Sequence, residues 1–239
     1  MKILISCAKM MNSDCTIELP HTSIPLYQSN ANKIANIIMQ YKAEELQTML
    51  KINPKMANEN KLRYEIFNTK LASKTPAIFA YSGIVFKYIN PSDFTPADFE
   101  FAQRHLNITS FLYGLLKPLD LINLYRLEGN IKLQELGNIS MFDYWKTKLT
   151  DNFIKEIKDD DGILCNLASN EMKKLFDWKR ITKELKVISP NFKVYKDGKL
   201  KTIVVYTKMM RGEITREIIK NRITDLKELE LLLENYTQV

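Results

Sequence analysis

The chain has 239 residues, 45% of them hydrophobic and 26% charged, with a formal net charge of +7 at pH 7 and a pI near 9.1. That length suits one large domain or two small ones around a substantial core, and the balance is ordinary for a globular protein. It excludes a transmembrane helix, because no 18-residue apolar stretch occurs, and the opening MKILISCAKMMN has too short an apolar run for a secretory signal, so a cytoplasmic protein is expected.

Lys2 to Ser6 (KILIS) reads as a strand ending in a loop that exposes Lys9. Asn30–Tyr41 and Lys42–Leu50 read as helices, with Ile34, Ile37, Ile38 and Tyr41 in a three-to-four spacing. Asn53-Pro54 marks a break, and helical character resumes from Asn58 to Leu71. Lys42 to Phe67 is therefore compatible with a helix-hairpin-helix, although that motif's glycine-rich hairpin is missing. Pro76–Tyr81 and Ile84–Phe86 look like strands on either side of Ser82-Gly83. Thr95-Pro96-Ala97-Asp98 starts a helix running to about His105, with an N-cap Thr, a first-position Pro and an acid in the first turn. Asn107–Leu112 then reads as a strand.

The run from Leu112 to Glu128, LYGLLKPLDLINLYRLE, is apolar enough to be buried. Tyr113, Lys117, Asp120, Tyr125, Arg126 and Glu128 interrupt it, and a buried charge is costly unless it is paired or faces a ligand. Gly114 and Pro118 break it into short pieces. It reads either as the wall of a site or as a turn-rich core segment with satisfied ion pairs. Met141–Ile157 is a helix whose Phe142, Trp145, Leu149, Phe153 and Ile157 share a face and are assigned to packing.

Gly162–Leu167 reads as a buried strand feeding a helix capped by Ser169, whose free N–H groups, beside Asn166, favour an anion. Leu185–Tyr195 and Lys199–Thr207 should form a hairpin around Lys196-Asp197-Gly198. Lys208–Arg222 closes the chain with a helix that sets Lys208 near Arg211 and Arg216 one turn from Lys220, followed by a peripheral amphipathic tail at about 225–235. Strands alternating with helices indicate one mixed α/β domain over residues 1–239.

Charge is uneven along the chain. Between Lys173 and Arg222, 15 Lys and Arg stand against 5 Asp and Glu, an excess of ten that leaves the remainder at −3. Such a half suggests a surface for a polyanion. No basic stretch interleaved with aromatics and no base-reading motif is evident, so contact with DNA would be mainly to phosphates. Cys7, Cys15 and Cys165 are odd in number and lack CxxC spacing, which argues for buried inert thiols rather than disulfides. His21 and His105 are too few and too far apart for a His-rich metal site, and no cofactor is implied.

ISCAK at Ile5–Lys9, LYGLLKPLDLINLYRLE at Leu112–Glu128, NLASNE at Asn166–Glu171 and RGEITREIIKNR at Arg211–Arg222 occur in this order. AIFAYSG at Ala77–Gly83 and DFEFAQRHL at Asp98–Leu106 support the set. Together they resemble the YaaA family of bacterial peroxide-stress proteins over nearly the full length. The resemblance implies a single α/β domain of unusual topology, termed the cantaloupe fold, and a role in limiting damage from hydrogen peroxide and intracellular iron. It also implies DNA binding through a positively charged cleft and a helix-hairpin-helix element. Carried over by motif position, Lys9, Tyr113, Lys117, Asp120, Arg126, Asn166, Ser169, Arg211 and Arg216 become candidate cleft residues, and Lys220 and Arg222 extend the anion-binding set. The chain departs from the family pattern at Cys7, Met10, Ile84 and Asn170, where Pro, Thr, an acid and Asp are usual.

Two expectations follow. The first is a peroxide-stress protein that binds DNA through a basic cleft. The second is an enzyme on a small anionic or nucleotide-like substrate, with Lys9, Lys117, Arg126 and Arg211 holding the anion, Asp120 or Glu128 accepting a proton and Tyr113 donating a hydrogen bond. Lys9, Tyr113, Lys117 and Asp120 are the candidates for catalysis. A scaffold whose charges only specify folding is the least attractive, because the polar motifs lie on four separate segments.

Overall fold

Five strands make the central sheet in the computed structural model, which describes residues 1–15, 17–196 and 198–237. They are β1 (Lys2–Ile5), β2 (Leu106–Ser110), β3 (Gly114–Leu116), β4 (Ile163–Asn166) and β5 (Lys186–Ile188), in the spatial order β5-β4-β1-β2-β3. β1 is parallel to both neighbours, with Ile3 opposite Cys165 on one side and Leu106 on the other. β5 is parallel to β4, and β3 runs antiparallel to β2. Parallel strands covered on both faces are apolar without alternation, and Ile3, Leu4, Ile5, Leu164 and Cys165 are fully buried. Gly114 closes the β2–β3 turn at φ +72°, where a Cβ would meet the Trp145 ring at 2.6 Å.

The helices are α1 (Gln28–Ile38), α2 (Ala43–Leu50), α3 (Pro54–Ile66), α4 (Ile84–Ile89), α5 (Pro96–His105), α6 (Met141–Lys158), α7 (Trp178–Glu184), α8 (Val204–Asn221) and α9 (Leu226–Thr237). α5 starts where its cap signal places it: Asp98 N–H donates to Thr95 Oγ1 at 3.2 Å and Thr95 N–H to Asp98 Oδ2 at 2.9 Å. α6 packs against β3 and β4, burying the five apolar side chains assigned to its core face. No helix among the described residues is long and apolar enough to cross a membrane.

Several expected boundaries move, each for a local reason. Asn53-Pro54 is a cap and first position rather than a break, with Met56 N–H donating to Asn53 Oδ1, so α3 begins four residues before Asn58 and ends at Ile66. Lys51, left-handed at φ 53°, makes the α2–α3 turn that glycine would otherwise provide. Ile84–Phe86 is helix, not strand, because Phe86 and Ile89 bury a three-residue spacing against α8. Within Pro76–Tyr81, Thr75-Pro76 pairs with Leu121-Ile122, Ala77–Ala80 is one helical turn, and Tyr81-Ser82 pairs with Met10-Met11. Lys186–Ile188 joins the parallel sheet, so the hairpin is only β6 (Val194–Lys196) against β7 (Lys199–Lys201), and α8 already begins at Val204. Asp197 of the expected turn lies outside the described residues.

Candidate functional site

The chain leaves β1 toward β2 on one side of the sheet and leaves β4 toward β5 on the other. Strand order thus reverses between β1 and β4, and at such a point the loops after the strands diverge and leave a crevice. A cleft of about 380 Å³ lies there. Ser6 to Met10 after β1 and Ser169, Glu171 and Met172 after β4 line it, with Ile84 to Phe86 of α4, Tyr125 to Leu127, and Lys208 and Arg211 of α8 completing the walls.

Backbone and hydroxyl contacts fix the two loops. Ser169 N–H donates to Ser6 Oγ at 2.9 Å, and Leu167 N–H to the Leu4 carbonyl at 2.9 Å. Cys7 N–H donates to Thr109 Oγ1 at 3.2 Å. Burial pushes the Cys7 thiol up to about 12, against the opposing hydrogen bond from Thr109. Behind the cleft, the Tyr125 hydroxyl stands 2.7 Å from Ser110 Oγ and 2.8 Å from the Tyr81 hydroxyl. Burial first of all holds the Tyr125 phenol well above its ordinary range, so it is a neutral hydrogen-bonding group at pH 7.

Arg126 donates through Nη1 to the Lys9 carbonyl at 3.1 Å and through Nη2 to Glu128 Oε1 at 2.7 Å. Lys9 Nζ meets the other Glu128 oxygen at 3.1 Å. Arg126 Nε is buried with no hydrogen-bond partner among the described residues. Arg211 differs from Arg126: it is half-buried, and no hydrogen bond or ion pair reaches its guanidinium among the described residues. Burial alone lowers its proton affinity. Lys173 is depressed too, by burial and then by the positive charge of Arg211. Lys9, Arg126, Lys208 and Arg211 thus line the cleft together with Glu171, and Glu128 is already engaged by the first two. Phe86, Phe111, Leu127 and Met172 give it an apolar floor. A cation taken partly from water without a counter-ion costs free energy, which an incoming anion returns.

Of the candidate residues, the structure brings Lys9, Arg126, Ser169 and Arg211 to this cleft. Ser169 does not cap a helix there: a short 3-10 turn starts at Met172. Asn166 instead accepts from Ala168 N–H at 3.3 Å and donates to Ser189 Oγ at 3.1 Å, shaping the loop. Lys117 and Asp120 are not part of the wall expected from the Leu112–Glu128 run. β3 is antiparallel, so Lys117 emerges at the opposite end of the sheet and pairs with Glu156 and Asn107. Asp120 accepts from Lys117 N–H and Ser23 Oγ, and burial raises its pKa. Tyr113 is fully buried and accepts from Asn123 N–H. Arg216, Lys220 and Arg222 bind Asp93 and Asp98 on the flank of α5.

Glu171, Lys173, Ser6 and Lys208 belong to this neighbourhood without having been singled out as site residues. Ser6 and Glu171 lay inside the ISCAK and NLASNE motifs, and Lys208 stood three residues before Arg211 on one helical face. Among the described residues, no group of three His, Cys, Asp or Glu side chains stands close enough to hold a metal ion.

A family model described as peroxide stress protein YaaA matches residues 1–238. A UPF0246 protein of Phocaeicola vulgatus is 56% identical, over 96% of this chain and 90% of its own length. One from Bacteroides fragilis is 54% identical over the same shares, and one from Clostridium beijerinckii 38% identical over 96% and 89%. The chain belongs to the peroxide stress protein YaaA family.

Proposed function

We propose that this member of the YaaA family acts in peroxide stress by binding DNA, with backbone phosphates seated at the cleft between β1 and β4. The observation that carries the reading is Arg211, a half-buried guanidinium with no hydrogen-bond or ion-pair partner among the described residues, lining that cleft beside Lys208. A phosphate between Arg211 and Arg126 would meet the charge that the fold leaves unsatisfied. The α2–α3 turn, where Lys51 and Lys55 are exposed, supplies a second contact, in the place of a helix-hairpin-helix. Each phosphate neutralised releases condensed cations from DNA. Ferrous iron held on the duplex would leave with them, which links binding to protection from iron-driven peroxide damage.

The test is duplex affinity measured across salt concentrations. Binding should weaken steeply with salt, and Arg211→Ala should weaken it by about tenfold and lower the salt slope by about 0.9. A flat salt dependence overturns the reading. The apolar floor and the size of the cleft also suit a small anionic substrate, the enzyme reading. In it Arg211 holds the anion, while Glu128 is engaged by Arg126 and Lys9. A metabolite that co-purifies with the protein and is lost from Arg211→Ala would favour it.

A further inference from the structure

The arm from Lys193 to Lys208 is both basic and apolar, holding five lysines and one acid, Asp197. Tyr195 stands directly opposite Leu200 in the β6–β7 hairpin, and they are 71% and 62% exposed. The chain then enters α8 with Val204, Val205 and Tyr206 exposed. Single exposed apolar residues are ordinary, but here five fall within one short arm. Contrary to the expectation that no basic stretch is interleaved with aromatics, Tyr195 and Tyr206 stand among these lysines. A two-stranded hairpin is marginal on its own in water, and an arm that keeps these side chains in solvent is suited to a partner.

We propose that this arm binds single-stranded nucleic acid, with bases stacked on Tyr195 and Tyr206 and phosphates held by Lys193 and Lys199. A polyanion matches the lysines, whereas a second copy of the arm would bring like charges together. Membrane anchoring calls for a deep face of Trp, Phe and Leu, which two tyrosines, one leucine and two valines do not provide. Flat aromatic rings stack any base, and only a single strand offers its base faces. Val204, Lys208 and Arg211 follow one another along one side of α8, so the arm leads into the cleft. The proposal deepens the reading of the cleft as a phosphate site, on which it rests for the direction of the strand.

The test uses the full chain with labelled oligo-dT and oligo-rU of about 20 nucleotides, longer than a typical single-strand site of about 4–16, and a duplex of equal length. Tyr195→Ala with Tyr206→Ala should weaken oligo binding by about tenfold or more. The matching Phe variants should restore it, and duplex affinity should change by less than about twofold. Lys193→Ala with Lys199→Ala should lower the salt slope by about 0.7 per lysine. A response on either oligonucleotide supports the proposal, and the responding one names the sugar. Unchanged oligo affinity in the Ala pair overturns it, as does binding to vesicles of equal phosphatidylcholine and phosphatidylserine that the Ala pair alone abolishes. If Arg211→Ala acts on the duplex while the tyrosine variants do nothing, the cleft reading stands and this one falls. The opposite pattern reverses the two.

Discussion

Cys7 sits in the wall of the cleft with its thiol pushed up to about 12 by burial. The thiolate is the species that reacts with peroxide and alkylating agents. With about one thiol in 10⁴ ionised at pH 8, native Cys7 should resist iodoacetamide for far longer than an unfolded control. Prompt alkylation followed by peptide mapping would contradict this. Gly212 carries a different constraint, because a Cβ there would fall on the Val85 carbonyl oxygen and at 2.7 Å from the Tyr88 Cβ. α8 therefore packs backbone to backbone on α4, and Gly212→Ala should cost about 1–3 kcal/mol through overpacking. The check is the denaturant midpoint, and a value equal to wild type would show that the helices separate freely. Arg211 could be named from its motif, but its lack of a partner among the described residues could not, since pairing depends on which segments come together.

At the scale of elements, α8 is pinned at its C-terminal half. Asp98, only 3% exposed, accepts from Thr95 N–H, from Lys220 Nζ at 3.0 Å and from Arg222 Nη2 at 3.1 Å. Burial opposes its ionisation, but the hydrogen bonds from Thr95 and the Lys220 ammonium outweigh it and hold its carboxyl below the ordinary range. A depressed carboxyl stabilises the fold above its unfolded pKa of about 3.9 and loses that contribution as pH falls through the native value. Stability should thus decline below about pH 4, and less steeply in Asp98→Asn; equal slopes would refute the assignment. Asp98→Ala should cost about 2 kcal/mol at pH 7. The helix start at Thr95 was readable because a cap is a local device. The helix at Ile84 was not: six residues fit either period, and packing on α8 decided between them.

Across the whole molecule, the direction of the strands sorts the charged groups to two ends. The cleft lies beyond the C-terminal ends of β1 and β4, while antiparallel β3 delivers Lys117 to the other end, beside Glu156. Lys117→Ala should therefore leave nucleic-acid affinity within about twofold, with a stability loss near or below about 1 kcal/mol for a partly exposed pair. Equal losses of affinity in Lys117→Ala and Arg211→Ala would mean that the two ends act together. The mixed α/β class was legible from alternating patterns, and the four motifs were legible as a set. Which motifs meet was not, because that depends on strand order and on the reversal of β3. The seat at Gly212 and the Asp98 anchor make α8 a cantilever. Eight residues at about 1.5 Å each place Val204 about 12 Å from the pivot at Gly212. A tilt of about 10° would swing the free end by about 2 Å yet shift the neighbouring Arg211 backbone by only about 0.3 Å. A given tilt therefore carries the start of the arm several times farther than it carries the helix backbone beside the cleft.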